Sequence, residues 1–166
     1  MKSNKIKSFF DYNDDYPTCD STHATLCIYL PDNEDPNAIT KKLGLQPSRI
    51  QVKGEIRFGK VKKWPTAWFL GTSEQVQSKD VRRHIDWLVE QIKDNLTFIK
   101  QLQDTDSEVH ISCYWASASG HGGPMLDQDI LKRIADLGIG ISFDIYFADN
   151  QINEIFNEHL KSKKTV

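Results

Sequence analysis

No apolar run in the 166-residue chain reaches the length of a membrane-spanning helix. The start, Met1 to Lys7, is basic, but Ser8-Phe9-Phe10 gives way at once to Asp11, Asp14 and Asp15, too short for the core of a signal peptide. Cysteine is scarce and odd in number, and with no export signal Cys19, Cys27 and Cys113 read as reduced thiols of a cytoplasmic protein. Neither sign of charge dominates: 21 Lys+Arg stand against 23 Asp+Glu. That balance excludes a whole-molecule field drawing the chain to nucleic acid or to an anionic membrane, so any such partner would need a local patch. Six prolines and nine glycines are too few for a low-complexity chain. What is present, 39% hydrophobic and 27% charged residues, is the composition of a globular domain. At this length folding hides roughly 70% of the unfolded surface, so neither metal nor disulfide is needed to hold a core.

The apolar pattern divides the chain into alternating and helical stretches. Leu26, Ile28 and Leu30 alternate with Thr25, Cys27 and Tyr29, which predicts a half-buried strand from His23 to Leu30. Asp35 and Pro36 open a short helix that Gly44 closes. Ile50, Val52, Ile56 and Phe58 predict one strand over 50–58, and Trp68 and Leu70 mark another over 66–72, with a basic hairpin loop between them. Ser78 suits the N-cap of a helix whose Val81, Ile85, Leu88, Val89 and Ile92 share a face, and Leu96, Ile99 and Leu102 extend it or start a second. Val109, Ile111, Cys113 and Trp115 alternate along a further strand. Ile130, Leu131, Ile134 and Leu137 mark a helix ending at Gly138, and Ile139 to Phe147 a last strand.

The order predicts an α+β fold: a ferredoxin-like β-α-β-β-α-β layered domain with an extra α-β unit, a mainly antiparallel sheet and helices on one face. Two half-repeats forming two sheets are the alternative. The domain is expected over 23–149, between a polar arm over 1–22 and a helical tail over 150–166. Lys53-Gly54-Glu55, then Trp64-Pro65-Thr66-Ala67-Trp68, a helix, a glycine turn and Phe143-Asp144-Ile145-Tyr146 form a loose pattern. It resembles a bacterial family filed as domain of unknown function 4279, over roughly residues 24–148. The resemblance carries no assigned activity; it implies a small bacterial cytoplasmic protein, for which an accessory or immunity-like role is a working expectation.

Several local patterns fall short of a named chemistry. Asp11-Tyr12-Asn13-Asp14-Asp15 starts like a calcium loop, but Tyr16 stands where the turn needs glycine and Thr22 where a bidentate glutamate belongs, so a solvated acidic arm is expected. Cys19, His23, His110 and Cys113 are zinc-ligand types, yet on one strand His110 and Cys113 point to opposite faces. No local sequence favours a cysteine nucleophile with any one histidine. No metal or cofactor is implied. Gly120, His121, Gly122 and Gly123 lie between a strand and a helix, where free amides and the helix dipole can hold an anion; the P-loop, dinucleotide and esterase patterns are all absent. Lys53 to Lys63 carries five cations against Glu55, the mixture of a solvated hairpin, and without an aromatic RNP1 signature it does not favour nucleic acid.

The most informative pattern is the set opposite the expected core: Thr25, Cys27 and Tyr29; Lys53, Glu55 and Arg57; His110, Ser112 and Tyr114; Ser142, Asp144 and Tyr146. Tyrosines with arginine and a few charges match the composition of protein-interface hot spots, although a wet sheet face has similar alternation. The expectation is therefore a non-catalytic binding protein whose open face, Tyr29, Lys53, Glu55, Arg57, His110, Tyr114, Asp144 and Tyr146, holds a protein partner. Nucleic acid and membrane are not expected partners, and monomer and homodimer are both open. The alternative is an anionic-ligand protein or enzyme at Gly120 to Pro124, with His121 and Asp144 supplying polar chemistry.

Overall fold

The computed structural model describes residues 11–57, 59–61 and 63–147, with the Arg57 side chain outside that set. The expected tail helix over 150–166, the first ten residues of the arm, and Phe58 as a core residue lie outside the described residues. The chain runs β1 (Cys19–Leu30), α1 (Asn37–Leu43), β2 (Arg49–Gln51), β3 (Ile56–Arg57), β4 (Lys60–Val61), β5 (Thr66–Gly71), α2 (Val81–Ile92), a 3-10 turn, α3 (Leu96–Gln103), β6 (Glu108–Ser117), α4 (Gln128–Leu137) and β7 (Gly140–Tyr146). The fold is α+β, with a five-stranded mixed sheet in the order β2-β5-β1-β6-β7. Every junction is antiparallel except β6–β7, which is parallel and joined through α4. A crossover helix is what a parallel neighbour requires.

Period-two alternation puts Leu26, Ile28, Ile111 and Cys113 on one sheet face, where they meet Ile85, Leu88 and Ile92 of α2, Ile99 of α3 and Ile134 of α4. Each such aliphatic side chain stabilises the fold by about 1.5 to 3 kcal/mol on full burial. Gly44 and Gly138 end α1 and α4 in the left-handed conformation, at φ 68° and 67°. The cap of α2 differs from expectation. Asp80 occupies it and accepts the Arg82 amide, while the Ser78 hydroxyl accepts the Asp80 amide one turn earlier.

Three expectations need correction. Residues 50–58 do not form one strand: Glu55 N–H donates to the Val52 carbonyl, and Gly54 sits at φ 79°, a turn that ends β2 at Gln51. Val52 and Ile56 are consequently exposed, not core, and Ile56 pairs with Val61 in a separate two-stranded hairpin. Residues 11–15 are not a solvated arm, because the Asn13 amide donates to Asp80 and the Asp14 carbonyl accepts the Lys79 amide. Residues 19–22 likewise begin β1. At the sheet edge, Ile145 and Phe147 stay exposed although their parity matches that of the core positions.

Candidate functional site

The register of the sheet lays out the face away from the helices row by row. Arg49, Phe69, Cys27 and His110 form one row; Gln51, Ala67, Tyr29 and Glu108 the next. Toward the other end, His23, Tyr114 and Asp144 align, followed by Ala116 and Tyr146. Of the face positions expected from sequence, Tyr29, His110, Tyr114, Asp144 and Tyr146 are brought onto this surface. Lys53 and Glu55 lie in the turn after β2, and Arg57 lies in the hairpin, so the strand that was to align these three with the others does not form.

Ring contacts organise the surface into two clusters. His23 stacks on Tyr114 at 4.8 Å between centroids, and Tyr114 meets Tyr146 at 5.2 Å, where the Tyr146 hydroxyl donates to Asp144 at 3.0 Å. Across the sheet, Tyr29 stacks on His110 and meets Phe69 edge-on, with the Arg49 guanidinium 4.2 Å from the Phe69 centroid. Tyr146 is 54% exposed, whereas Cys27, Ala67 and Phe69 beneath Tyr29 are buried. Aromatics held against one another present large area with little rotamer entropy left to lose. Desolvation lowers the His23 pKa, so the ring stacked on Tyr114 is neutral at physiological pH.

Cys27 and His110 are direct cross-strand partners, and a Glu108 carboxylate oxygen lies 3.0 Å from His110 Nδ1. The three do not make a nucleophilic triad. Nδ1 is buried with no hydrogen-bond partner among the described residues, so the Glu108 contact is an ion-pair distance without hydrogen-bond geometry. The Cys27 thiol donates instead to the Thr25 carbonyl, and burial pushes its pKa up to about 11. Cys113, on the helix side, is pushed up to about 12 by the same cause. His110 and Cys113 do face opposite ways, and among the described residues no His/Cys/Asp/Glu group is arranged to hold a metal.

The glycine turn is pinned by the chain on both sides. Gly122 sits at φ 95°, and a Cβ there would lie 2.7 Å from Thr18, which explains glycine by packing as well as by backbone conformation. The Ser117 hydroxyl donates to the His121 carbonyl, and Tyr16 reaches the Gly123 carbonyl. His121 is exposed beside Ser119, and Gly120 has φ 77°. The amides that open α4 lie beyond this turn, and the Asp127 carboxylate accepts two of them, from Asp129 and Ile130. A carboxylate at that helix start repels a second anion.

The residues missed by sequence reasoning form a buried ionic lock. Arg82, fully buried on α2, makes a bidentate pair with Asp80 at 2.9 and 2.6 Å, reaches Asp127 at 2.8 Å, and donates to the Asp11 carbonyl. One guanidinium therefore joins the caps of α2 and α4 to the N-terminal segment. Beside it, Asp11, Tyr12, Asp86, Asp127 and Arg133 line a cleft of about 460 Å³, in which Tyr12 and Arg133 both bind Asp86. Burial raises the Asp86 pKa, with Arg133 opposing. The only sequence signal was the acidic-x-basic spacing of Asp80 and Arg82; Asp127 is distant in the chain, so its part was invisible.

No helix among the described residues is long and apolar enough to cross a membrane. No curated protein and no solved structure matches the chain. One family model does match, described as a domain of unknown function (DUF4279), and it spans residues 20–148, taking in all five strands of the sheet and every helix described above. By that match the chain belongs to the DUF4279 family.

Proposed function

We propose that this chain is a non-catalytic bacterial binding protein, accessory or immunity-like, that engages a protein partner through the sheet face opposite its helices. The observation that carries the reading is the ring cluster in which His23 stacks on Tyr114 and Tyr114 meets Tyr146 at a tilt, held on central and edge strands and exposed at the Tyr146 end. Rigid aromatic clusters on a regular scaffold are the commonest anchors of protein interfaces. The strand order β2-β5-β1-β6 with antiparallel junctions supports a ferredoxin-like unit extended by α4 and β7. The buried free thiols support a reducing cytoplasm.

The alternative centred on Gly120 to Pro124 has less in its favour. The helix amides nearest the turn are already bonded to Asp127, and His121 faces solvent beside a serine. The partner reading is tested by affinity capture from a bacterial host with the wild-type chain and a Tyr114→Ala/Tyr146→Ala variant of matched melting temperature. A protein retained by the first and lost by the second supports it. A set of captured proteins identical for both contradicts it.

A further inference from the structure

The main sheet has two edges, and they are built differently. β2 forms one with three residues, before the turn at Gly54. β7 forms the other over seven residues and lies beside β6 without a break in register. It carries none of the devices that blunt an edge: no proline, no lysine and no bulge, with Asp144 as its only charge. Among the described residues no strand pairs with its outer side, so its outward backbone donors and acceptors are open to another strand. Ile145, Tyr146 and Phe147 stand 38%, 54% and 55% exposed there.

β7 is also complementary to itself. Two copies laid antiparallel about a twofold axis at Phe143 pair Phe143 with Phe143, Ile141 with Ile145, Ser142 with Asp144 and Gly140 with Tyr146. Every pair keeps its face: the odd positions stay on the helix side, where Ile141 and Phe143 already pack against the core, and the even ones stay on the open side. Aliphatic meets aliphatic, carboxylate meets hydroxyl, and no like charges are opposed, whereas an axis at Asp144 would set two carboxylates against each other. Gly140 fits the same register. It does not have a positive φ, and a Cβ there would make only an ordinary contact, 3.8 Å from the His110 Cβ, so its own fold does not demand glycine. In the twofold pairing the Tyr146 ring of the other copy lies across that glycine and covers its bare backbone.

We propose that β7 is a homodimer edge, at which two copies of this chain pair antiparallel about Phe143 to make one continuous sheet with the described helices on one side. Gly140 is the cross-strand neighbour of His110, so the Tyr146 ring of each copy comes beside His110 of the other, and each open face gains a ring from its partner. Seven paired residues make a small interface, the class of weak and reversible association, so the dimer forms in the micromolar range.

Self-association needs no other protein and holds or fails independently of the partner reading above. Sedimentation equilibrium of the full chain from about 1 to 500 µM shows a monomer–dimer equilibrium. Ser142→Asp sets a second carboxylate opposite Asp144 on both sides of the axis and weakens the dimer roughly tenfold, whereas Ser142→Lys at the same exposed position tightens it about threefold. Ile145→Lys, which puts a lysine on the open edge, weakens it by roughly tenfold or more. Both Ser142 variants melt like wild type when dilute. A chain monomeric at every concentration overturns the proposal and gives the edge to another occupant, the residues after Phe147 or a different protein. A dimer whose affinity ignores the sign of the charge at position 142 overturns it as well, because the copies then meet on another surface.

Discussion

The two faces of the sheet are built by the same strands and obey different chemistry. On the helix side, aliphatic residues of β1, β5 and β6 meet four helices in a closed core, and at its rim a buried arginine is satisfied by two aspartates and a carbonyl. On the other side, the alternate residues include aromatic and imidazole rings that contact one another, His23 with Tyr114, Tyr29 with His110 and Tyr114 with Tyr146. The first face is where substitutions should damage folding. The second is where they should damage contact with something else.

The largest break in that contrast is expected at the ionic lock. Arg82→Ala leaves Asp80 and Asp127 facing each other without their shared cation and is expected to destabilise by about 3 to 5 kcal/mol, read as a large drop in thermal or urea midpoint. Ile85→Ala, a cavity on the same side, should cost about 2 to 5 kcal/mol by the same measurement. Gly122→Val comes next, at about 1 to 3 kcal/mol, since it meets Thr18 and holds a branched side chain at positive φ. A variant as stable as wild type would show that the turn relaxes.

How much of this contrast was visible in the sequence follows from what decides each part. The alternation of β1 and β6, the apolar stripe of α2, and the glycine stops of α1 and α4 are local patterns, and each element forms where those patterns place it. The face residues Tyr29, His110, Tyr114, Asp144 and Tyr146 followed from parity alone. Lys53, Glu55 and Arg57 did not, because Gly54 takes a left-handed turn that apolar alternation does not reveal. Arg82 and His84 lie outside the apolar set read for α2, yet both are buried. Of their partners, Asp11 and Asp127 come from distant segments, so periodicity carries no trace of them.

A smaller effect sharpens the helix side through pH. His84 is buried with Nε2 against the Ser78 carbonyl and Nδ1 against the Thr72 hydroxyl, which leaves a neutral ring donating at Nε2 and accepting at Nδ1. Burial lowers its pKa from the ordinary value of 6.5, the Ser78 carbonyl and Asp80 opposing and His23 assisting, so the unfolded chain takes up the proton first. Stability is therefore held above pH 6.5 and falls as pH drops below it toward the folded value; His23 shifts in the same direction. The melting temperature should decline on acidification through this window, and His84→Gln should flatten the decline. A profile identical in the variant would remove His84 as its source.

The smallest effects on stability belong to the aromatic face. Tyr114→Ala and Tyr146→Ala are expected to change stability by about 1 kcal/mol or less, the value of lost ring pairs on a half-exposed surface, while weakening partner binding. If these substitutions cost as much as Ile85→Ala, the two faces do not differ in the way described.

The most direct test of the binding face is side-chain footprinting of the chain with and without a captured partner, reading tyrosine modification at Tyr114 and Tyr146 and lysine modification at Lys132 on the outer side of α4. The account predicts strong protection of both tyrosines and unchanged reactivity of Lys132. Protection of Lys132 with both tyrosines still fully reactive would contradict it and place the partner on the helices.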